Sequence, residues 1–473
     1  MMTMGGSRTA LRGCGLKGEG REVKVVHPTK KRQRNDPRPM PPAPQKAPAR
    51  AARSSLLGAG PAPAAPLRQL RAPRGHRRRI ALRAWRNLAV ARRRCRKNAV
   101  FCAPRLPTAV AVLIAGGGLA GACAAFCLSR SGRSVRLLEA TGEPGAGASG
   151  AAAGSVNPLM GRRARPTWRL ADALDALRWI TREAGAEATF DETGVLRPAR
   201  SREQAGVFRE AAGEHPDRAR WLAPGAAAER FSAVETPHGA LWIEGGGAAD
   251  VPALIDALLE AARRHGATVE TGARVTGWQE RGGGVAARVE RAEGRADLPA
   301  GRLLLCVGLG HAALGALAPL DLRAVKGQTL RLRRPPALEG EWLPVLSGNG
   351  YVVPQPDGTL RAGSTYEHDA RHLRPTDEGR QYILGNVSQM LPPLAEAEVL
   401  EARAGARVSP PGSPLPALGP LPGGEANAGE ERVWVFGALG SRGLLTAPLL
   451  ARALPSLLDA PARIPEAVRA RAA

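Results

Sequence analysis

Residues 109–121 read AVAVLIAGGGLAG, and their reading decides the fold. The first seven form a continuous apolar run of the kind a buried parallel strand shows. Gly116, Gly118 and Gly121 follow at GxGxxG spacing, and an apolar segment then runs on to Gly132. At that spacing the first glycine permits a tight turn. The second lets backbone approach a pyrophosphate, and the third lets the next helix pack closely on the strand. Leu119 and Ala120 open that helix, whose first turn offers unpaired N–H groups to an anion.

A second strand, SVRLLEA at 134–140, ends in Glu139 and Ala140. Glu139 lies eighteen residues past Gly121, where a carboxylate accepts hydrogen bonds from ribose hydroxyls and repels a 2′-phosphate. Strand, loop, helix, strand and acid in register point to an adenosine dinucleotide, with NAD and FAD both open. Residues 109–128 are also twenty uncharged residues behind a basic flank, the length of a signal anchor. Three consecutive glycines, each weakening a helix by about 1 kcal/mol relative to alanine, favour strand, turn and helix instead.

The charge is uneven. The chain of 473 residues carries a net +26, of which residues 1–108 supply 27 basic groups against 3 acids. The remaining 365 residues hold 41 basic and 39 acidic groups, so the body is nearly neutral and the whole-chain charge is no argument for nucleic acid. Residues 1–108 are crowded with Pro and Arg, show no sustained period and are expected to be disordered. Three explanations stand: translation assigned too far upstream, an Arg-rich organelle presequence, or a basic arm that grips phosphates. No methionine lies between Met40 and Met160, so a later start needs another codon. The six cysteines form no CxxC pair, and Cys123, Cys127 and Cys306 sit in apolar runs as small core residues. That usage suits a reducing compartment and a cytoplasmic location, with organelle targeting as the other reading of the basic region.

TGEPGAGASGAAAGSVNP at 141–158, which holds Ser149, Gly150 and Gly154, is too small and flexible for a core element. It suits backbone lying against a flat ligand. Helical periodicity follows at 166–185, then helix, strand, strand over 249–280, then a buried strand in RLLLCVGLGHAAL (302–314) that breaks at Gly308 and Gly310. Residues 190–243 and 322–404 alternate short strands with turns. Near the end, GALGSRGLLTAPL (437–449) places a second glycine turn before an apolar helix.

In this order, residues 109–473 resemble the D-amino-acid oxidase superfamily of FAD-dependent amine oxidoreductases. VKGQTLRL (325–332), GYVVPQPDGTLRAGST (350–365), AGARVSPPGSPLPALGPLP (404–422) and the terminal loop carry the likeness. GASGAAAGSVNPLM and GALGSRGLLTAPLLARAL are similar, more narrowly, to the FAD-dependent C-terminal part of the bifunctional bacterial enzymes that finish carboxymethylaminomethyl- and methylaminomethyl-uridine at the tRNA wobble position. In place of their methyltransferase half stand the basic 108 residues.

The resemblance implies an α/β architecture: a Rossmann-like FAD-binding domain (109–189, 244–321 and 405–473) with an interleaved antiparallel-sheet substrate domain (190–243 and 322–404). It implies FAD held by the first loop, Glu139, Ala140, Ser149, Gly150, Gly154 and Gly308. Gly440, Ser441, Arg442, Gly443 and Leu444 would serve the flavin's electron-accepting end. No cysteine follows Cys306, and Ser409 stands near the place of covalent attachment in relatives, so FAD is expected to be non-covalent. Arg407 matches a guanidinium that binds the substrate carboxylate, Tyr351 a hydroxyl aimed at substrate, and Arg361 a basic group that assists reaction with oxygen. Lys326 looks structural. His368 and His372 lack HExxH order, which argues against zinc and for a polar pocket-rim loop. The expected chemistry is amine oxidation, on tRNA with a separate methyltransferase as partner, or on free glycine, sarcosine or a D-amino acid, with no membrane. A nucleic-acid-binding or anchored protein working through its basic arm is the competing class.

Overall fold

A computed structural model describes residues 110–368, 370–422 and 431–472. The expectations for the basic region, and for Cys14, Cys95 and Cys102, lie outside the described residues.

The opening run forms the strand Val110–Ala115, and the helix Leu119–Arg130 begins after three intervening glycines. The strand pairs in parallel with Val135–Leu138 on one side and with the end of Gly294–Leu305 on the other, in register Ile114 with Leu137 and Leu304. Thr268–Glu270 extends this parallel layer beyond Val135–Leu138, and Val433–Gly437 extends it beyond Gly294–Leu305. The first half of Gly294–Leu305 continues the same sheet as an antiparallel meander with Gly284–Arg291 and Arg274–Arg281.

The helix Leu119–Arg130 is buried on every side except at Arg130. Helices apolar all round belong inside, and this one lies under Val251–Arg264 and Gly443–Asp459. Phe126, fully buried, anchors that stack. Cys123 and Cys127 are buried on the same helix, and burial pushes the Cys127 thiol up to about 12 and the Cys306 thiol higher still. They act as small core residues. No helix among the described residues is long and apolar enough to cross a membrane.

A second eight-stranded sheet runs, in order, Val399–Ser409, Arg323–Leu332, Leu360–Gly363, Gly350–Pro354, Val345–Gly348, Val195–Pro198, Ala240–Ile243 and Ala219–Leu222. Its pairs are antiparallel except one, Val345–Gly348 beside Val195–Pro198, where strands from distant parts of the chain meet without a hairpin. Three helices also lie in the regions read as strands and turns, namely Arg202–Glu214, Pro224–Arg230 and Asp377–Val387. The first buries only Ala205, Phe208 and Ala211, an apolar stripe too thin for periodicity to announce.

Candidate active site

One cavity of about 1320 Å³ is walled by the first glycine turn, the segment after Glu139, the second sheet and the terminal glycine turn. Gly116 takes φ +107°, and a Cβ there would lie 2.4 Å from the Cys306 carbonyl oxygen. A Cβ on Gly121 would lie 1.9 Å from the Gly116 carbonyl oxygen, so helix and strand can approach this closely only without one. Gly118 differs: a Cβ would meet the protein only at Ser149 Oγ, 3.4 Å away, and the bare backbone fronts the cavity.

Glu139 lies on the cavity wall. It accepts hydrogen bonds from Gly117 N at 2.7 Å and from Thr141 N and Oγ1, both at 2.8 Å. A carboxylate offers about four acceptor positions, which leaves one for a ligand hydroxyl. Ser149 Oγ accepts from Leu119 N at 3.1 Å, capping one of the free N–H groups of the helix start. Bare backbone at Gly118, a helix N-terminus and a held carboxylate on one wall fit the adenosine-diphosphate half of FAD.

Of the candidate cofactor residues, Gly116, Gly118, Leu119, Ala120, Glu139, Ala140, Ser149, Gly154, Gly308, Gly440, Ser441, Gly443 and Leu444 line this cavity. Gly121, Gly150 and Arg442 do not. Gly121 serves packing, and Gly150 N closes a turn onto Gly145 O at 2.7 Å. Arg442 caps the terminal helix, where its carbonyl accepts from Thr446 Oγ1 at 3.0 Å.

The two glycine turns meet. A Cβ on Gly443 would stand 3.5 Å from Leu119 Cδ2. Gly440 N donates to Val408 O at 2.9 Å, which fastens the terminal turn to the strand Val399–Ser409. The neighbouring residue on that strand is Arg407.

Arg407 reaches the cavity across a gap made for it. Gly327 lies on the adjacent strand, and a Cβ there would fall 2.4 Å from Arg407 Nη2 and 2.5 Å from Nη1. The guanidinium donates to Ser364 Oγ at 2.5 Å and to Thr365 O at 3.4 Å, and it lies 4.4 Å from the centre of the Tyr366 ring. Arg407 forms no ion pair with any described residue. Glu139, at the other end, is the sole carboxylate on the cavity wall among the described residues, and no His or Lys lines it. Tyr351 stands beside Arg407 and Ser364, and burial pushes its hydroxyl above the ordinary value against the pull of the Arg407 charge and the Ser364 bond.

Arg361 is not on the cavity wall. Its charge sits among Arg403, Glu401, Asp250 and Arg331, and burial holds its guanidinium below the ordinary value. Lys326 is also away from the cavity, buried, with Nζ 3.0 Å from Glu367 Oε2. His372 Nδ1 accepts from Arg374 N at 3.2 Å, and no group of three metal-ligating side chains occurs among the described residues. Sequence reasoning passed over Ser364, Tyr366 and Gly327, which shape the Arg407 site. The available signal was the scarcity of tyrosine, three in the whole chain. It also passed over Arg197, whose Nη1 and Nη2 donate to Leu159 O and Gly161 O, both at 2.7 Å. Burial lowers that guanidinium to about 10.

Known proteins are similar to this chain in sequence and in fold. The family model described as FAD dependent oxidoreductase (DAO) matches residues 111–457. Glycine oxidase of Pseudomonas aeruginosa is 28% identical over 372 residues, covering 74% of this chain and 94% of its own. The tRNA 5-methylaminomethyl-2-thiouridine biosynthesis bifunctional protein MnmC of Burkholderia multivorans is 32% identical over 383 residues, covering 73% of this chain but 56% of its own. Among solved structures, iminodiacetate oxidase from Chelativorans sp. BNC1 aligns with a TM-score of 0.64 at 25% identity, covering 76% of this chain and 98% of that one.

Proposed function

Because the chain belongs to the FAD-dependent oxidoreductase (DAO) family, we propose that it oxidises the CH–NH bond of an N-substituted glycine, the carboxymethylaminomethyl group of a tRNA wobble uridine. The observation that carries this reading is the Arg407 guanidinium, set on the cavity wall without an acidic partner and laid flat across Gly327. A planar guanidinium binds a carboxylate through two parallel N–H bonds, and a glycine-type amine brings that carboxylate.

Gly116, Gly118, Glu139 and Ser149 would hold the adenosine-diphosphate half of FAD, and the terminal turn from Gly440 to Leu444 the ring. FAD bound there would supply a two-electron acceptor for the hydride of the substrate α-carbon. The protein's share is placement. Arg407 fixes the carboxylate, so the α-carbon is held at a set distance from that anchor. Its positive charge disfavours a protonated amine nearby and so favours the neutral form that gives up hydride. The Tyr351 hydroxyl, kept protonated by burial, remains a donor through neutral pH. No protein base is needed on the wall. Water then cleaves the imine, releasing glyoxylate and leaving an aminomethyl group on the uridine.

Five further expectations go with this proposal: FAD would be bound non-covalently, the protein would work in the cytoplasm, a separate methyltransferase would be its partner, dioxygen or another acceptor would take the electrons, and the substrate domain would span 190–243 and 322–404. A second reading, oxidation of free glycine, sarcosine or a D-amino acid, is favoured by the 94% coverage of the glycine oxidase against 56% of the bifunctional protein. The chain spans about half the length of the bifunctional relatives.

The test incubates purified protein with carboxymethylaminomethyl-modified tRNA and, separately, with a panel of small amino acids, following peroxide and nucleoside mass. Conversion of the modified nucleoside supports the first reading. Turnover of glycine or a D-amino acid with the tRNA unchanged overturns it in favour of the second. Acid precipitation should release the yellow colour into the supernatant, and colour retained in the pellet would refute non-covalent binding.

A further inference from the structure

The chain has three tyrosines, and all three line this cavity: Tyr351, Tyr366 and Tyr382. Tyr366 and Tyr382 are 61% and 57% exposed, and Leu373, also on the wall, is 42% exposed. Large apolar surface left open around one pocket marks a place where something docks. Tyr366 is also the ring against Arg407, so this surface is continuous with the substrate anchor.

Arg162 and Arg200 are exposed on the wall of the same cavity. Arg163, Arg165 and Arg202, also exposed, flank them in sequence. None of the five makes an ion pair or side-chain hydrogen bond with any described residue, whereas Arg136, Arg291, Arg331 and Arg333 pair with acids. The one acid in these stretches is Glu203, on the helix Arg202–Glu214. Arg197 holds the arrangement in place: its bonds to the carbonyls of Leu159 and Gly161 tie the hairpin that carries Arg162 to the second sheet. Exposed guanidinium groups without an acidic partner thus stand on the cavity wall and next to it in sequence.

We propose that this wall is a binding surface for single-stranded RNA, with a base stacked on Tyr366 or Tyr382 and backbone phosphates on Arg162, Arg200 and their neighbours. Exposed aromatic faces and unpaired guanidiniums, here on the wall of one cavity, are the two components of single-strand recognition. A free amino acid has neither base nor phosphate and would leave both unused. The inference rests on the wobble-uridine reading and deepens it, because the stacked base would lie next to the anchor for its own side-chain carboxylate.

The test uses the full chain, so that residues 1–108 contribute equally to every variant. An anticodon stem-loop carrying 5-iodouridine at the wobble position is photocrosslinked and the adduct mapped by peptide mass. Adducts within 366–382 are expected; adducts confined to 1–108, or none, overturn the proposal. In binding titrations, Arg162→Glu with Arg200→Glu should flatten the log–log salt slope by about 1.4, roughly 0.7 for each phosphate that is no longer neutralised. Tyr382→Ala should weaken binding about tenfold. Both variants should still fold and bind FAD. Variants that bind the stem-loop as tightly as wild type defeat the idea. So does an equal loss of binding to phosphatidylserine vesicles, which would assign the surface to a membrane. A failure here with tRNA still converted leaves the amine chemistry standing.

Discussion

At the scale of single residues, the proposed chemistry rests the substrate carboxylate on Arg407, and two neighbours give way to that guanidinium. Gly327 supplies the flat floor and Ser364 the bond that orients the guanidinium. Arg407→Lys keeps the charge but loses the planar fork. It should lower kcat/KM for a carboxylate-bearing amine by about 100-fold, which corresponds to about 2.7 kcal/mol, while the flavin absorbance per protein is unchanged. Gly327→Ala should act in the same direction more weakly, since the new methyl must push the guanidinium aside. An Arg407→Lys enzyme with wild-type kcat/KM would remove the guanidinium from its role as anchor. Arg407 was legible only through family resemblance, because it is one of 41 basic residues in the body. Its floor and its bond were not legible at all, since cross-strand neighbours depend on register that no local pattern records.

At the scale of elements, strand, turn and helix at 110–130 could be read directly because apolar run, glycine spacing and helix all agree in one stretch. Gly121→Ala should break that agreement: the methyl would strike the Gly116 carbonyl oxygen. Overpacking of this kind costs about 1–3 kcal/mol, and the variant should purify with less bound flavin and a lower melting temperature. The helix Arg202–Glu214 was missed, and it offers the opposite case. Gly206 lies inside it with open space where a Cβ would stand. Gly206→Ala should therefore stabilise by about 0.5–1 kcal/mol, read as a raised melting temperature. Lys326 and Glu367 join two elements by a buried ammonium and its one acid. Burial raises the Glu367 carboxyl, but the bonds from Lys326 and Thr365 outweigh it and hold it below the ordinary value. A carboxyl depressed by folding contributes stability that is complete above about pH 4.3 and is lost as pH falls through the lower folded value. Glu367→Gln should lower the melting temperature at pH 7, and the gap from wild type should close on acidification below about pH 4.3. A gap that stays constant down to acid would show that the pair contributes no titratable stability.

At the scale of the whole molecule, the cavity takes its walls from segments as far apart as Gly116 and Leu444. The first turn lies against the terminal turn through Leu119 and Gly443, and the terminal turn is bonded to the Arg407 strand through Val408. A ligand that touches both turns therefore binds only a chain whose two turns are already folded together. Such binding stabilises the folded state by mass action, about 2.7 kcal/mol when free ligand is 100 times its dissociation constant. Protein stripped of flavin should melt at a lower temperature than reconstituted protein, and the gap should widen with FAD concentration. Gly116→Val would place a branched side chain at a left-handed φ, against the Cys306 carbonyl. It should abolish that FAD-dependent rise even though the terminal turn is untouched. A variant at Gly116 that still gained thermal stability from FAD would mean that the two turns do not act on a single ligand.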